Sequence, residues 1–433
     1  MITFDQIIPL VREVFLPHQL ALAAIEQVII NRDLNGRVRF IVPASIQDNP
    51  EQLALVRTIA AELCPQLGSR SYSPERTVLF EEDIDSVKRE APSFPLEGFD
   101  NLFVVDRLVS ETDWASISEE STGAPRVVFF SIKGGVGRST ALAATAWALA
   151  QAGKRVLVLD LDLESPGLST ALLPAARQPV YGITDWLVED LLDNGDTVLD
   201  AMVSTSGLSH DGEIYVVPAH GAKPGEYVSK LGRVWMPKVG ADGLRESWSQ
   251  RLKRLIGCLE VRYTPDVVLI DSRAGIDEVA SSCVSDLGAN LVLLFAIEGS
   301  QTWTGYRILF EHWLRADVVR HIRDRLQIVA ALTPELDRID YLEGLRENAY
   351  DLFAETLYDE IPPGDVVSDT WHFETADDSA PHAPWEVKWH RSFAGLRSLH
   401  GRLVAIDADE VRGMFGPLIA GIIQTLGMEN THE

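Results

Sequence analysis

Arg126-Val127-Val128-Phe129-Phe130-Ser131-Ile132 leads directly into Lys133-Gly134-Gly135-Val136-Gly137-Arg138-Ser139-Thr140. The first seven residues have the length and apolar content of a buried strand. From about Ser139 to Ala152 the chain is alanine-rich and reads as a helix, which Gly153 stops. A glycine loop between a strand and a helix N-terminus is a phosphate cradle. Its backbone N–H groups can approach an anion closely, and the helix dipole adds favourable potential. A ligand carrying phosphates, ATP first among them, is therefore expected at Gly134, Gly135, Val136, Gly137, Arg138, Ser139 and Thr140.

Two acidic strand ends lie downstream. Val156-Leu157-Val158-Leu159-Asp160-Leu161-Asp162 closes one apolar run with two carboxylates, and Val267-Val268-Leu269-Ile270-Asp271 closes another with one. Four apolar residues followed by an aspartate bring a carboxylate to the water shell of Mg²⁺ beside a phosphate loop. Ser139 is expected to give the same ion a hydroxyl ligand. Strand-like runs at Val127–Ile132, Val156–Asp160, Ile214–Val217, Val267–Asp271, Leu291–Ile297, Ile328–Leu332 and Thr356–Ile361 alternate with helical stretches. Several are continuously hydrophobic, as parallel strands covered on both faces are. The pattern predicts an α/β fold with a doubly wound, mostly parallel sheet, and ligands at the carboxyl ends of its strands.

The loop departs from the common pattern G-x-x-x-x-G-K-[ST]. Ile132 stands at the first glycine and Arg138 at the lysine, while Lys133 opens the loop. A lysine before paired glycines resembles the deviant Walker A motif, K-G-G-x-G-K-[ST], of the ParA/MinD superfamily of P-loop ATPases. The resemblance covers roughly residues 126–425 and rests on KGGVGRST, DLDLESPG and LIDSRAG in that order.

It implies ATP and Mg²⁺ as cofactors and a homodimer closed across ATP, with Lys133 reaching the partner's nucleotide. It implies that Asp160 lies near Mg²⁺ or the loop, that Asp162 orients the attacking water, and that Gly275 offers its N–H to the γ-phosphate. Thr140 then helps hold the α-phosphate. Thr333 stands where the family often carries an asparagine that reads adenine. Arg138 keeps the charge of the usual lysine in a planar fork able to grip phosphate oxygens in pairs, and slow hydrolysis is expected from the exchange. Arg273 offers either an arginine finger or an internal salt bridge. The function implied is that of a dimerising switch ATPase that recruits or releases a protein partner, of the kind found in bacterial signalling, positioning and defence systems. The alternative is a nucleotide-binding scaffold that does not hydrolyse.

Residues 1–122 read as a smaller α+β domain ahead of the ATPase domain at 123–433. Helical periodicity covers Asp5–Phe15, Gln19–Ile30 and Asn49–Leu63, with Asn49 as a cap. Val38–Pro43, Arg76–Phe80 and Asn101–Asp106 read as strands, and the polar stretch Glu111–Pro125 as a linker. No catalytic motif stands out in this part, which leaves a partner-binding or regulatory module. The segment Asp365–Pro384 is polar and irregular, a lid or a surface excursion.

The chain has 433 residues, with 38 Lys and Arg against 64 Asp and Glu, a net charge of −26. Such a balance opposes non-specific binding to nucleic acid. The basic residues of 245–262 and 307–325 are read as solvated helix faces. The helical segment Val411–Met428 has a single basic residue, Arg412, so it is expected to pack in the core and not on a membrane surface. No secretory leader is evident, and Cys64, Cys258 and Cys283 form no C-x-x-C pair, so a cytoplasmic location is expected.

Overall fold

The computed structural model describes residues 2–89, 91, 93–107, 113–240, 243–361, 370–390 and 399–428. They form two compact units, one of residues 1–116 and 315–318, the other of 117–314 and 319–433.

The first unit is built on a five-stranded sheet in the order β3-β2-β1-β5-β4. Its strands are β1 (Val28–Arg32), β2 (Val38–Pro43), β3 (Val78–Glu81), β4 (Ser93–Pro95) and β5 (Leu102–Asp106). β1 runs antiparallel to β2 and parallel to β5. The helices Ile7–Phe15 and Pro50–Leu67 cover one face, where Val11, Phe15, Val56, Ile59 and Leu63 share a core with Val28, Ile30 and Phe40. Asn49 caps the second helix, its side chain accepting from the N–H groups of Glu51 and Gln52, and Pro50 follows where no intrahelical donor is lost.

One expected helix is corrected. Of Gln19–Ile30 only Gln19–Leu22 is helical, and Val28–Arg32 is the central strand. Val28, Ile29 and Ile30 are all buried because this strand has neighbours on both sides and cover on both faces, so alternation is lost. The expected strand Arg76–Phe80 begins two residues late, since Pro74–Thr77 forms a helical turn.

The second unit holds an eight-stranded sheet in the order β15-β14-β13-β6-β12-β7-β9-β8. The members are β6 (Arg126–Ser131), β7 (Arg155–Asp160), β8 (Ser204–Thr205), β9 (Glu213–Val217), β12 (Val267–Ala274), β13 (Leu291–Ala296), β14 (Leu326–Thr333) and β15 (Trp385–Lys388). A separate ribbon pairs β10 (Lys238–Val239) with β11 (Arg245–Glu246). Every pairing in the large sheet is parallel except that of β8 with β9.

All six residues of β6 are buried. On one face the cradle helix Arg138–Gln151 and the helix Ala408–Thr425 share a core with Val127, Phe129, Val158 and Leu269. On the other, Phe130 meets Tyr306 of the helix Ser300–Arg315 edge-on. The apolar residues of the C-terminal helix, Val411, Met414, Phe415, Leu418 and Ile422, all belong to the core. No helix among the described residues is long and apolar enough to cross a membrane.

Thr356–Ile361 is not a strand. The helix Arg338–Thr356 continues to its first residue, and the N–H groups of Leu357 and Tyr358 both turn back to the Phe353 carbonyl. The neighbour of β14 is instead β15, which begins directly after the segment expected to be irregular. Residues 365–369 of that segment lie outside the described residues, as do 111–112 of the expected linker. Further on, Trp371, Phe373 and His382 surround the Tyr358 ring, and the Tyr358 hydroxyl meets His382 Nδ1 at 2.5 Å. The basic stretches carry internal ion pairs: Arg251 with Asp190 at 2.8 Å, Arg254 with Glu246 at 2.9 Å, Arg323 with Asp359 at 2.7 Å and Arg325 with Glu120 at 3.4 Å.

Candidate nucleotide site

The turn after β6 bends through two glycines with left-handed backbones, Gly135 (φ +78°) and Gly137 (φ +83°). Both conformations disfavour a side chain, and at Gly137 an added Cβ would also lie 3.3 Å from Leu332 Cδ2. The turn delivers Arg138 as the first residue of the cradle helix, above the carboxyl ends of β6, β7 and β12.

Arg138 is buried there, and each of its three guanidinium nitrogens has an acceptor nearby. Nε donates to Asp271 Oδ1 at 2.7 Å, Nη1 donates to Ser131 Oγ at 3.1 Å, and Nη2 lies 3.5 Å from Asp162 Oδ2. The expected phosphate-gripping arginine thus grips carboxylates. A planar guanidinium can bridge acceptors on different strand ends at once, which a point-like ammonium does less well. Ser139 Oγ donates to the second oxygen of Asp271 at 2.5 Å. Lys133 at the mouth of the loop is exposed.

Asp160 is completely buried. One of its oxygens accepts from the Gly167 N–H at 3.3 Å and the other has no hydrogen-bond partner. Burial, and then the charges of Asp271 and Asp162, push its carboxyl up to about 8. Burial also raises Asp271, opposed by the adjacent Arg138 and Ser139.

Arg138 faces two carboxylates, Asp271 and Asp162, while the Ser139 hydroxyl and the unpartnered oxygen of Asp160 are oxygen donors of the kind a divalent cation takes. Among the described residues no three His, Cys, Asp or Glu side chains converge as a metal cage. Mg²⁺ usually keeps waters and takes phosphate oxygens beside one or two protein ligands. Ser139, Asp271 and Asp160 are the groups that would hold it.

Other expected residues stand differently. The Gly275 N–H donates to the Ser131 carbonyl at 2.9 Å. Arg273 makes internal ion pairs, with Glu164 at 2.6 Å and Asp277 at 3.1 Å. Thr333 is buried, with its hydroxyl toward the Ala330 carbonyl and its own carbonyl accepting from the Trp389 N–H. It does not line the cleft; Leu332, at φ +53°, does.

The cleft has a volume of about 440 Å³ and joins two unlike halves. One is the cradle from Gly135 to Thr140; the other is Leu332, Val387, Lys388, Trp389, His390 and Phe415. Sequence reasoning missed this second half, because β15 and the C-terminal helix meet β14 only after long excursions of the chain. The alternation Trp385-Glu386-Val387-Lys388-Trp389 was the signal available.

Residues 127–409, more than half of the chain, match the family described as the CobQ/CobB/MinD/ParA nucleotide binding domain. Among solved structures the chain is similar to the septum site-determining protein MinD of Pyrococcus horikoshii complexed with Mg-ADP. That match has 19% identity over 72% of this chain and 100% of that one, with a TM-score of 0.43. A plasmid partition protein of Borrelia burgdorferi is 13% identical over 70% of this chain and 99% of its own, with a TM-score of 0.41. Cobyrinic acid a,c-diamide synthase of Mycobacterium smegmatis, with a bound ATP analogue and magnesium, is 22% identical over 55% of this chain and 86% of its own, with a TM-score of 0.36. No curated protein matches the chain.

Proposed function

The chain belongs to the CobQ/CobB/MinD/ParA nucleotide-binding family, and from that premise we propose a slow, ATP- and Mg²⁺-dependent switch ATPase that closes as a homodimer around its nucleotide. The observation that carries this reading is the convergence of Arg138, Ser139, Asp162 and Asp271 at the mouth of the phosphate cradle. Phosphoryl transfer needs positioning and charge stabilisation more than covalent chemistry, and these groups supply both. The cradle's N–H groups and Thr140 hold the phosphate chain. Asp162, at the rim and partly open to solvent, orients the attacking water. Ser139 and Asp271 would hold Mg²⁺, which would supply charge to neutralise the phosphates. Lys133 has no carboxylate partner among the described residues, which leaves it available for a nucleotide held by a second copy.

Arg138 is the reason for slowness. Its guanidinium must be shared between the strand-end carboxylates and the incoming phosphates. The same engagement favours a second reading, a scaffold that binds nucleotide without turnover. The protein's output under either reading is the recruitment or release of a protein partner, with residues 1–122 as the module that contacts it. A cytoplasmic setting, in which three free cysteines stay reduced, completes the proposal.

Phosphate release and light scattering with Mg-ATP, Mg-ADP and no nucleotide test it. The wild type is expected to turn over slowly and to double in mass with Mg-ATP. Asp162→Ala is expected to lose turnover and keep the ATP-bound dimer. A wild type no faster than Asp162→Ala would replace the ATPase with the scaffold.

A further inference from the structure

We propose that the smaller unit binds a phosphate monoester, gripped by Arg39 and Arg37 at the end of its sheet where β1 and β5 finish. The site lies outside the nucleotide cleft, and the inference does not depend on the nucleotide reading.

Alternation along the strands places it. Val28, Ile30, Val38 and Phe40 belong to the core beneath the two long helices. Asn31 and Arg39 therefore lie with Ile29 and Ile41 on the opposite face. Asn31 and Arg39 stand opposite each other in the register, and Arg37, just ahead of β2, continues the same alternation. β1 and β5 run parallel, and open α/β sheets take ligands beyond the carboxyl ends of such strands.

Arg32, Arg70 and Arg107 stand at the same end and are already spent. Arg32 Nε donates to Asp106 Oδ1 at 2.9 Å, and Arg70 Nη1 to the Asn35 carbonyl at 2.6 Å. Arg107 donates to Asn31 Oδ1 at 3.0 Å and to the Val87 carbonyl at 3.1 Å. Arg39 differs. Its guanidinium carbon lies over the Tyr72 ring, 3.6 Å from the centroid. Its Nε is sealed from solvent and has no acceptor. The residue as a whole is only partly buried, so the terminal Nη groups form the edge that meets solvent. Exposed Arg37 lies 5.6 Å from the centroid of the same ring. Tyr72 is itself held in place. Its hydroxyl donates to Asp33, whose other oxygen accepts from the N–H groups of Asn35 at 2.9 Å and Arg37 at 2.8 Å. Asp33 thus fixes the ring on which Arg39 rests.

A guanidinium stacked on an aromatic ring, dry along one edge and without an anion, is a receptor for oxyanions, because its planar fork matches paired oxygens. A second arginine two residues away on the same face favours a dianion with three oxygens over a carboxylate. A free phosphate ester and a phosphorylated side chain of a partner protein present this same group.

Calorimetric titration of the full chain with phenyl phosphate, phenyl sulfate and a phosphoserine peptide of otherwise neutral residues tests the assignment. The wild type is expected to bind phenyl phosphate about tenfold more tightly than phenyl sulfate, which has a similar shape and a single charge. Arg39→Gln should weaken phenyl phosphate about tenfold, and Arg39→Lys, with the charge but not the fork, should recover only part of that. The cradle of the larger unit also takes phosphate, so the difference between wild type and variant is what locates the site. A thermal melt accompanies each variant. Should Arg39→Gln lower the melt, Arg37→Gln, at an exposed position, carries the test with an expected loss of about threefold. A phosphoserine peptide bound more tightly than phenyl phosphate makes a phosphorylated partner the source, and the reverse order makes it a free ester. Phenyl phosphate that binds wild type, Arg39→Gln and Arg37→Gln alike, or binds none of them, overturns the proposal. Mg-ATP binding that persists in that case leaves the nucleotide site standing.

Discussion

Asp160 sits at the end of β7 with no access to water and two carboxylates for neighbours. Burial first, then Asp271 and Asp162, move it from 3.8 up to about 8. Between those values the folded protein holds a proton that the unfolded chain has released. Folding stability contributed at this position therefore falls as pH rises from about 4 to about 8, by at most ~1.4 kcal/mol per pH unit. Thermal melts without nucleotide or Mg²⁺ between pH 5 and 8 are expected to show a steeper decline for the wild type than for Asp160→Asn. Parallel slopes would show that Asp160 titrates as an ordinary carboxylate. The residue's presence at the site was legible beforehand because an aspartate after four or five apolar residues marks a strand's carboxyl end. Its protonation was not legible, because the shift depends first on burial and then on Asp271 standing beside it, and β12 and β7 become neighbours only in the folded sheet. The same is true of Arg138. Its position in the motif is plain, yet its three partners come from three strand ends.

Among the elements, β15 and the C-terminal helix close one side of the cleft. Gly421 in that helix faces Trp385, and an added Cβ would lie 2.5 Å from the indole ring. Gly421→Ala is expected to cost about 1–3 kcal/mol through overpacking. In a unit of this size that is a fall of ~2–4 °C in melting temperature for each kcal/mol. Because β15 carries Val387 and Lys388 into the cleft and leads to Trp389, nucleotide affinity should fall with it. Calorimetry beside a thermal melt checks both, and an unchanged melt would show that the helix and strand have room to part. Six of the seven strand runs read in the larger unit are strands, since an unbroken apolar run flanked by helical periodicity has few other uses. The seventh, Thr356–Ile361, and the helix Gln19–Ile30 failed for a shared reason. Short apolar stretches such as Leu357-Tyr358 and Val28-Ile29-Ile30 suit either state, and their surroundings decide: an aromatic cluster for the first, flanking strands for the second.

On the scale of the whole molecule, each unit has a core of its own. Residues Ile7 to Val104 supply a contiguous apolar cluster confined to the smaller unit. A fragment of residues 1–116 is expected to unfold cooperatively in urea, followed by circular dichroism. A gradual, non-cooperative change would tie that unit's stability to the rest of the chain. In the larger unit, Ala141, Leu142, Ala143, Ala144, Ala146, Leu149 and Ala150 of the cradle helix are all sealed in the core. Small residues let neighbouring backbones press close, and a close-packed helix cannot slide without dragging its surroundings. The helix is an anvil. The short stretch after β7 buries Leu161 and Leu163 and is tied to its surroundings by three side-chain links: Asp162 to Arg138, Glu164 to Arg273, and the Leu163 carbonyl to the hydroxyl of Tyr227. A newcomer that borrows Arg138 unfastens the first of these rivets, and the remaining two lead outward, one to the end of β12 and the other to the helix Tyr227–Val234.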